Sequence, residues 1–229
     1  MKSTYFNLTI VGAIQFVVFI GIAMMLYGGG IYTDPTTKGY SFFYNFISDL
    51  GRYRLYNGNS NFVCMAFFSF SLAFSALTFL PFFYSWQQLL TKNATVKLLA
   101  RVGCGAGIIS GLSYMVVAVT PWDKFFVPHV SCVYAGFIGI LIASIFFSSA
   151  MFLEKNYPKL GAIAMTLFGF LAFSYLLLLF FGPSYKTQMG LKIQVVGQKV
   201  IVFSQVIVLL LQAFIAKRYI KKSLPKAIK

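Results

Sequence analysis

Six continuously apolar runs lie at 8–28, 61–84, 99–120, 129–152, 160–182 and 199–216, each near the ~20 residues that carry a helix across roughly 30 Å of hydrocarbon. Lipid offers a backbone no hydrogen-bond partners, so a crossing segment satisfies its own N–H and C=O groups as a helix or joins a closed barrel. Barrel strands alternate in polarity, and these runs do not. With 229 residues, 59% of them hydrophobic, the chain also has more apolar surface than one soluble core of this length can hide. The sequence therefore predicts an all-α polytopic membrane protein of six transmembrane helices. It forms a single membrane domain over 1–229, with no internal repeat and no soluble domain.

The first run is longer than the core of a secretory signal, and Tyr27-Gly28-Gly29-Gly30 lacks the alanine-type cleavage pattern, so it reads as a span. Cys64, Cys104 and Cys132 all fall inside runs at wide spacing, which fits neither a disulfide framework nor a zinc site. They read as small buried hydrophobes.

Charge orients the spans. Twelve of the nineteen Lys and Arg residues fall at the N-terminus, in the 85–101 and 153–159 loops and in the basic tail 217–229. The positive-inside bias then puts both termini in the cytoplasm, with the cell membrane as the expected location. The formal charge of +15 is spread over both faces of the membrane, so it reflects topology and anionic lipid headgroups rather than nucleic acid. Gly103, Gly107 and Gly111 leave a flat stripe on the third run, where another backbone can approach closely. A partner span of the same chain is the first expected occupant of that stripe; a second copy, giving a homo-oligomer, is the alternative.

Three of the four acidic residues, Asp34, Asp49 and Asp123, and the single histidine, His129, then fall on the extracytoplasmic side. Ionisable groups beside spans are costly unless paired or wetted, which marks them as a candidate site. Within 39–51, helical periodicity puts Phe43, Phe46, Ile47 and Leu50 on one face, with Ser41, Asn45, Ser48 and Asp49 on the other. A short amphipathic helix lying in the interface is expected there, ended by Gly51 in the left-handed C′ position and with Arg52 or Arg54 as the partner of Asp49.

The connection 120–129 is short enough to hold Asp123 beside His129, and Pro128 suits the first turn of the fourth helix. Gln198 and Lys199, at the start of the last run, can face the same vestibule, although Lys199 reads better as snorkelling to the interface. Gln205 and Gln212 are expected to hydrogen-bond between helices.

The candidate polar site is thus Asn45, Ser48, Asp49, Asp123, His129 and Gln198, and its leading reading is non-enzymatic binding of a lipid headgroup or a partner. A lipid hydrolase or transferase using Ser48, Asp123 and His129 is the alternative. Asp49, Asp123 and His129 around a divalent metal is another arrangement the residue types allow, but one histidine is few for a membrane zinc site, and no cofactor or metal is expected. A small-solute transporter is a third class, and the absence of a Pro/Gly-broken pair of spans counts against it.

Ile47-Ser48-Asp49-Leu50-Gly51 after the first span resembles the "ISD-x-G" signature of the DRAM-like six-span proteins. Pro121…Asp123…His129 before the fourth span and Gly197-Gln198-Lys199 before the sixth are more similar still to a prokaryotic six-span family, domain of unknown function nine-nine-eight. The resemblance implies six helices with both termini cytoplasmic, and motif positions at Ser48, Asp49, Gly51, Asp123, His129 and Gln198. Eukaryotic members are linked to autophagy, to lysosomal or plasma membranes and to phospholipid asymmetry. This chain departs from them in having Arg52-Tyr53-Arg54 where they usually carry a Pro-Glu pair.

Overall fold

The computed structural model of the protein describes residues 4–223, so Lys2 and the last residues of the basic tail lie outside the described residues. Among these residues the chain forms α1 (Thr4–Leu26), a hairpin of β1 (Gly29–Ile31) and β2 (Asp34–Lys38), and a 3-10 turn (Ile47–Gly51). Five helices follow: α2 (Phe62–Gln87), α3 (Ala94–Val119), α4 (Phe126–Leu153), α5 (Lys159–Phe181) and α6 (Gln188–Ser223). All six α-helices are long and apolar enough to cross a membrane. Each packs on the next in sequence, and α6 closes back onto α1.

Small and hydroxyl residues set these contacts, because aliphatic packing alone gives little preference for helix over lipid. Ser75 Oγ donates to the Gly12 carbonyl at 2.8 Å, and Ser110 Oγ to the Gly136 carbonyl at 2.8 Å. Gln212 Nε2 donates to the Gly161 carbonyl at 2.7 Å, and Gln205 Oε1 accepts from Tyr114 OH at 3.3 Å, so both glutamines link helices as the sequence predicts. The glycine stripe of α3 is filled from within the chain. A Cβ on Gly103 would meet the Phe147 ring at 2.9 Å, one on Gly107 the Phe83 ring at 2.6 Å and one on Gly111 the Leu80 side chain at 2.8 Å.

At the end of the bundle that holds the 87–94 and 153–159 connections, Trp86 stacks on Phe147 with centroids 4.2 Å apart and donates to Tyr157 OH at 2.9 Å. Glu154, the fourth acid, accepts there from the backbone N–H groups of Thr91 and Lys92.

The opposite end, the hairpin end, departs from expectation in three respects. The segment 39–51 is not an amphipathic α-helix: only Ile47–Gly51 is helical, as a 3-10 turn. Its polar side chains bond their own backbone instead, with Asn45 Oδ1 accepting from Ser41 N at 2.9 Å and Asp49 Oδ2 from Phe46 N at 2.8 Å. Such local bonds compete with the helical ladder.

Second, Gly51 is not left-handed; positive φ belongs to Gly29, Gly30, Gly39 and Gly58. Gly51 is there for space, since a Cβ would sit 2.4 Å from the Phe68 ring. Of the left-handed glycines, Gly29, Gly30 and Gly39 belong to the hairpin, whose β1 carries a bulge between Gly29 and Ile31, and Gly58 lies in the loop before α2.

Third, α6 starts at Gln188, well before 199, so Lys199 lies three turns inside a helix and cannot snorkel. It is 3% exposed, and its Nζ donates to the Asn45 carbonyl at 2.5 Å.

Candidate functional site

The polar residues of the hairpin end form two layers. The inner layer is a buried network centred on Asp49, which is fully buried. Asp49 Oδ2 accepts from Phe46 N at 2.8 Å and Asn45 Nδ2 at 3.2 Å, and Oδ1 accepts from Tyr56 OH at 3.0 Å. Asn45 also donates to the Gly30 carbonyl at 2.9 Å, tying the turn to the hairpin. The Asn45 carbonyl receives Tyr40 OH at 3.0 Å as well as the Lys199 ammonium.

Burial pushes the Asp49 carboxyl above the usual carboxylate range, against the opposing pull of Asn45, Arg52, Tyr56 and the Phe46 N–H. The same burial, with Asp49 beside them, raises the phenols of Tyr27, Tyr40 and Tyr56, so they act as hydrogen-bonding groups rather than acids. Asp49 is thus buried with both its oxygens bonded to groups of the turn and the loop after it.

The outer layer is a cavity of about 200 Å³ between the 3-10 turn, α4, α5 and α6. Its polar lining includes Ser48, His129, Gln194 and Gln198, and its apolar wall includes Val130, Val133 and Leu179. An aromatic rim runs Tyr185–Tyr32–Tyr56–Trp122–Phe126, with successive ring centroids 5.1, 6.0, 6.2 and 6.3 Å apart. Arg52 braces that rim, its guanidinium carbon 4.0 Å from the Tyr56 ring centre and 4.4 Å from that of Trp122. Such contacts stabilise by about 0.5–2 kcal/mol, depending on desolvation.

His129 is 4% exposed, and its Nδ1 lies 2.6 Å from the Thr120 carbonyl. A carbonyl only accepts, so Nδ1 carries the proton and, in the neutral ring, Nε2 is left as an acceptor. Nε2 has no partner among the described residues. Gln198 Oε1 accepts from Ile47 N at 2.7 Å, which turns its amide N–H groups away from the 3-10 turn and leaves them unpaired. Gln194 has the reverse arrangement, with Nε2 donating to the Leu178 and Pro183 carbonyls and Oε1 left over.

Asp123 does not orient His129. Its two oxygens accept from the consecutive N–H groups of Tyr53 and Arg54, at 2.9 and 3.0 Å, clamping the loop after the 3-10 turn. The arrangement of Ser48, Asp123 and His129 as a triad is thus not formed. Among the described residues no three His, Cys, Asp or Glu side chains gather as a metal site, so Asp49, Asp123 and His129 do not form one either. Asp34 is a hairpin residue, its Oδ1 accepting from Thr36 N and Oγ1, and these bonds hold its carboxyl below the usual range.

Of the six candidate positions, Ser48, His129 and Gln198 line the cavity, Asn45 and Asp49 support it from behind, and Asp123 fixes a flanking loop. Gln194, Trp122, Tyr56 and the brace by Arg52 escape sequence reasoning. The signal for Gln194 is its four-residue spacing from Gln198, which puts both on one face once α6 is extended to Gln188.

The fold and the site define an integral membrane protein of six spans with a polar, aromatic-rimmed cavity at one end of its bundle. No family model, no curated protein and no solved structure matches the chain.

Proposed function

We propose that the protein holds the headgroup of a membrane amphiphile in the hairpin-end cavity, without chemical turnover, and that this end faces outward across the cell membrane. The observation that carries the proposal is the meeting of His129, Gln198 and Ser48, three residues from distant parts of the chain, in one cavity beside an apolar wall. About 200 Å³ is below the usual volume of a pocket for a whole drug-sized ligand. It suits a headgroup, with the acyl chain leaving along the exposed Phe126 and Val127 toward lipid. The outward orientation rests on the distribution of Lys and Arg. The motif positions at this end, Ser48, Asp49, Gly51, Asp123, His129 and Gln198, also support kinship with the prokaryotic six-span family named above.

The test is lipid retention. Native mass spectrometry of the protein released from its membrane is expected to show one retained lipid per chain, lost in Val133→Trp, which fills the cavity. Equal retention in both proteins overturns the proposal. Hydrolysis stands as a second reading because His129 Nε2 and the unpaired Ser48 hydroxyl share the cavity. Release of free fatty acid that is abolished by both Ser48→Ala and His129→Asn is the result that favours it.

A further inference from the structure

We infer that the cavity selects a neutral, hydroxyl-bearing headgroup, such as a glycerol or a sugar, over a phosphate. This rests on the proposed amphiphile site and adds the chemical class of its ligand. The groups that protein contacts leave unused define that class.

His129 Nε2 and Gln194 Oε1 are acceptors on residues 4% and 8% exposed, and neither has a partner among the described residues. Both can accept from a donor in the cavity, while Trp122 Nε1, a buried donor of the cavity wall with no partner among the described residues, calls for an acceptor. Gln198 supplies fixed donors, because its oxygen is held by Ile47 N. The Ser48 hydroxyl can rotate to either role. A ligand satisfying this set must donate at two points and accept at others, which is what adjacent hydroxyl groups do.

A phosphate fails on both counts. Its ionised oxygens accept and do not donate, so they face the His129 and Gln194 lone pairs. No Lys or Arg is among the cavity-lining residues to offset the desolvation of its charge. Arg52 is committed to the outer side of the rim, stacked on Tyr56 and Trp122 and donating through Nε to the Arg54 carbonyl at 2.9 Å. Lys199 is committed to the Asn45 carbonyl in the inner layer. Asp49 lies behind Tyr56, so any charge on it repels an anion.

Two lipids that differ only in the phosphate test this: 1-oleoylglycerol and 1-oleoylglycerol 3-phosphate, titrated into the full-length protein in phosphatidylcholine nanodiscs. Trp122 lines the cavity and reports by its fluorescence. A saturable change with 1-oleoylglycerol is expected, with the phosphate-bearing lipid binding at least about tenfold more weakly. His129→Asn keeps a donor for Thr120 and removes the Nε2 acceptor; it should weaken 1-oleoylglycerol about five- to tenfold, as loss of one hydrogen bond in a buried site does.

Glycerol alone separates the sources. No saturation by glycerol assigns the headgroup to a lipid; saturation that His129→Asn weakens assigns it to a free polyol of the same chemistry. Equal or tighter binding of the phosphate-bearing lipid, abolished by Val133→Phe, which fills the cavity without adding an indole, overturns the choice of class while the cavity remains a lipid site. Absence of any Val133→Phe-sensitive change with either lipid overturns the cavity reading itself.

Discussion

The side-chain oxygen of Gln198 accepts a 2.7 Å hydrogen bond from the backbone N–H of Ile47, joining α6 to the 3-10 turn. That single bond fixes which end of the Gln198 amide faces the cavity, and it occupies the N–H that opens the turn. Gln198→Leu leaves the Ile47 N–H without its acceptor and is expected to cost about 1–3 kcal/mol. Gln198→Glu keeps an acceptor and should retain most of the stability. Thermal unfolding of both variants in one detergent checks this; equal loss in the two shows that the bond to Ile47 contributes little.

Asp49 gives a pH dependence with a definite sign. Burial raises its folded-state pKa above the unfolded value of about 3.9. Between those two values the folded chain binds more protons than the unfolded one, so the contribution of Asp49 to stability falls as pH rises. Asp49→Asn removes the titration and is expected to be at least as stable as wild type at pH 7, an advantage that disappears on acidification toward pH ~4. Asp49→Ala strands the donors of Phe46, Asn45 and Tyr56 and should be destabilising at every pH. Melting temperature against pH for the three proteins is the measurement; a wild-type advantage over Asp49→Asn that grows with pH contradicts the assigned direction.

Asp123 acts on a loop. Its carboxylate caps two consecutive amides, Tyr53 and Arg54, so Asp123→Ala should speed hydrogen exchange across 52–60 with exchange in α4 unchanged. The bonds are exposed, which limits the global cost to about 1 kcal/mol. Faster exchange in the first turns of α4 alone would place the role of Asp123 at His129 instead.

The glycines of α3 provide a packing test with its own control. A Cβ at Gly107 meets the Phe83 ring at 2.6 Å, whereas one at Gly105 meets nothing within 4 Å. Gly107→Ala should destabilise by about 1–3 kcal/mol through overpacking, and Gly105→Ala should be close to neutral or slightly stabilising. Thermal stability of the pair decides it; equal behaviour contradicts the intramolecular filling of the stripe.

The spans were legible because hydropathy over about 20 residues is a local property that the membrane enforces. The true start of α6 was not, since Lys192, Gln194, Gln198 and Lys199 depress the hydropathy of its first turns. Two of those polar groups are satisfied by Ile47 and Asn45, residues far away in the chain that no local pattern can supply. The segment 39–51 carried a helical period but also Asn45 and Asp49, whose side chains capture nearby backbone donors. His129 stands out as the single histidine of the sequence. Its orientation was not readable, because Thr120 offers only a backbone carbonyl, and every residue has one.

The proposed occupant of the cavity lined by Ser48, His129 and Gln198 is an amphiphile headgroup. The most direct measurement is an electron cryomicroscopy map of the protein in nanodiscs saturated with 1-oleoylglycerol, its size raised by a rigid antibody fragment bound at the opposite end of the bundle. The expected result is ligand density within hydrogen-bond reach of His129 Nε2 and the Gln198 amide, with the chain leaving past Phe126. An unfilled cavity under saturation, or lipid density confined to the outer surface of the bundle, contradicts it.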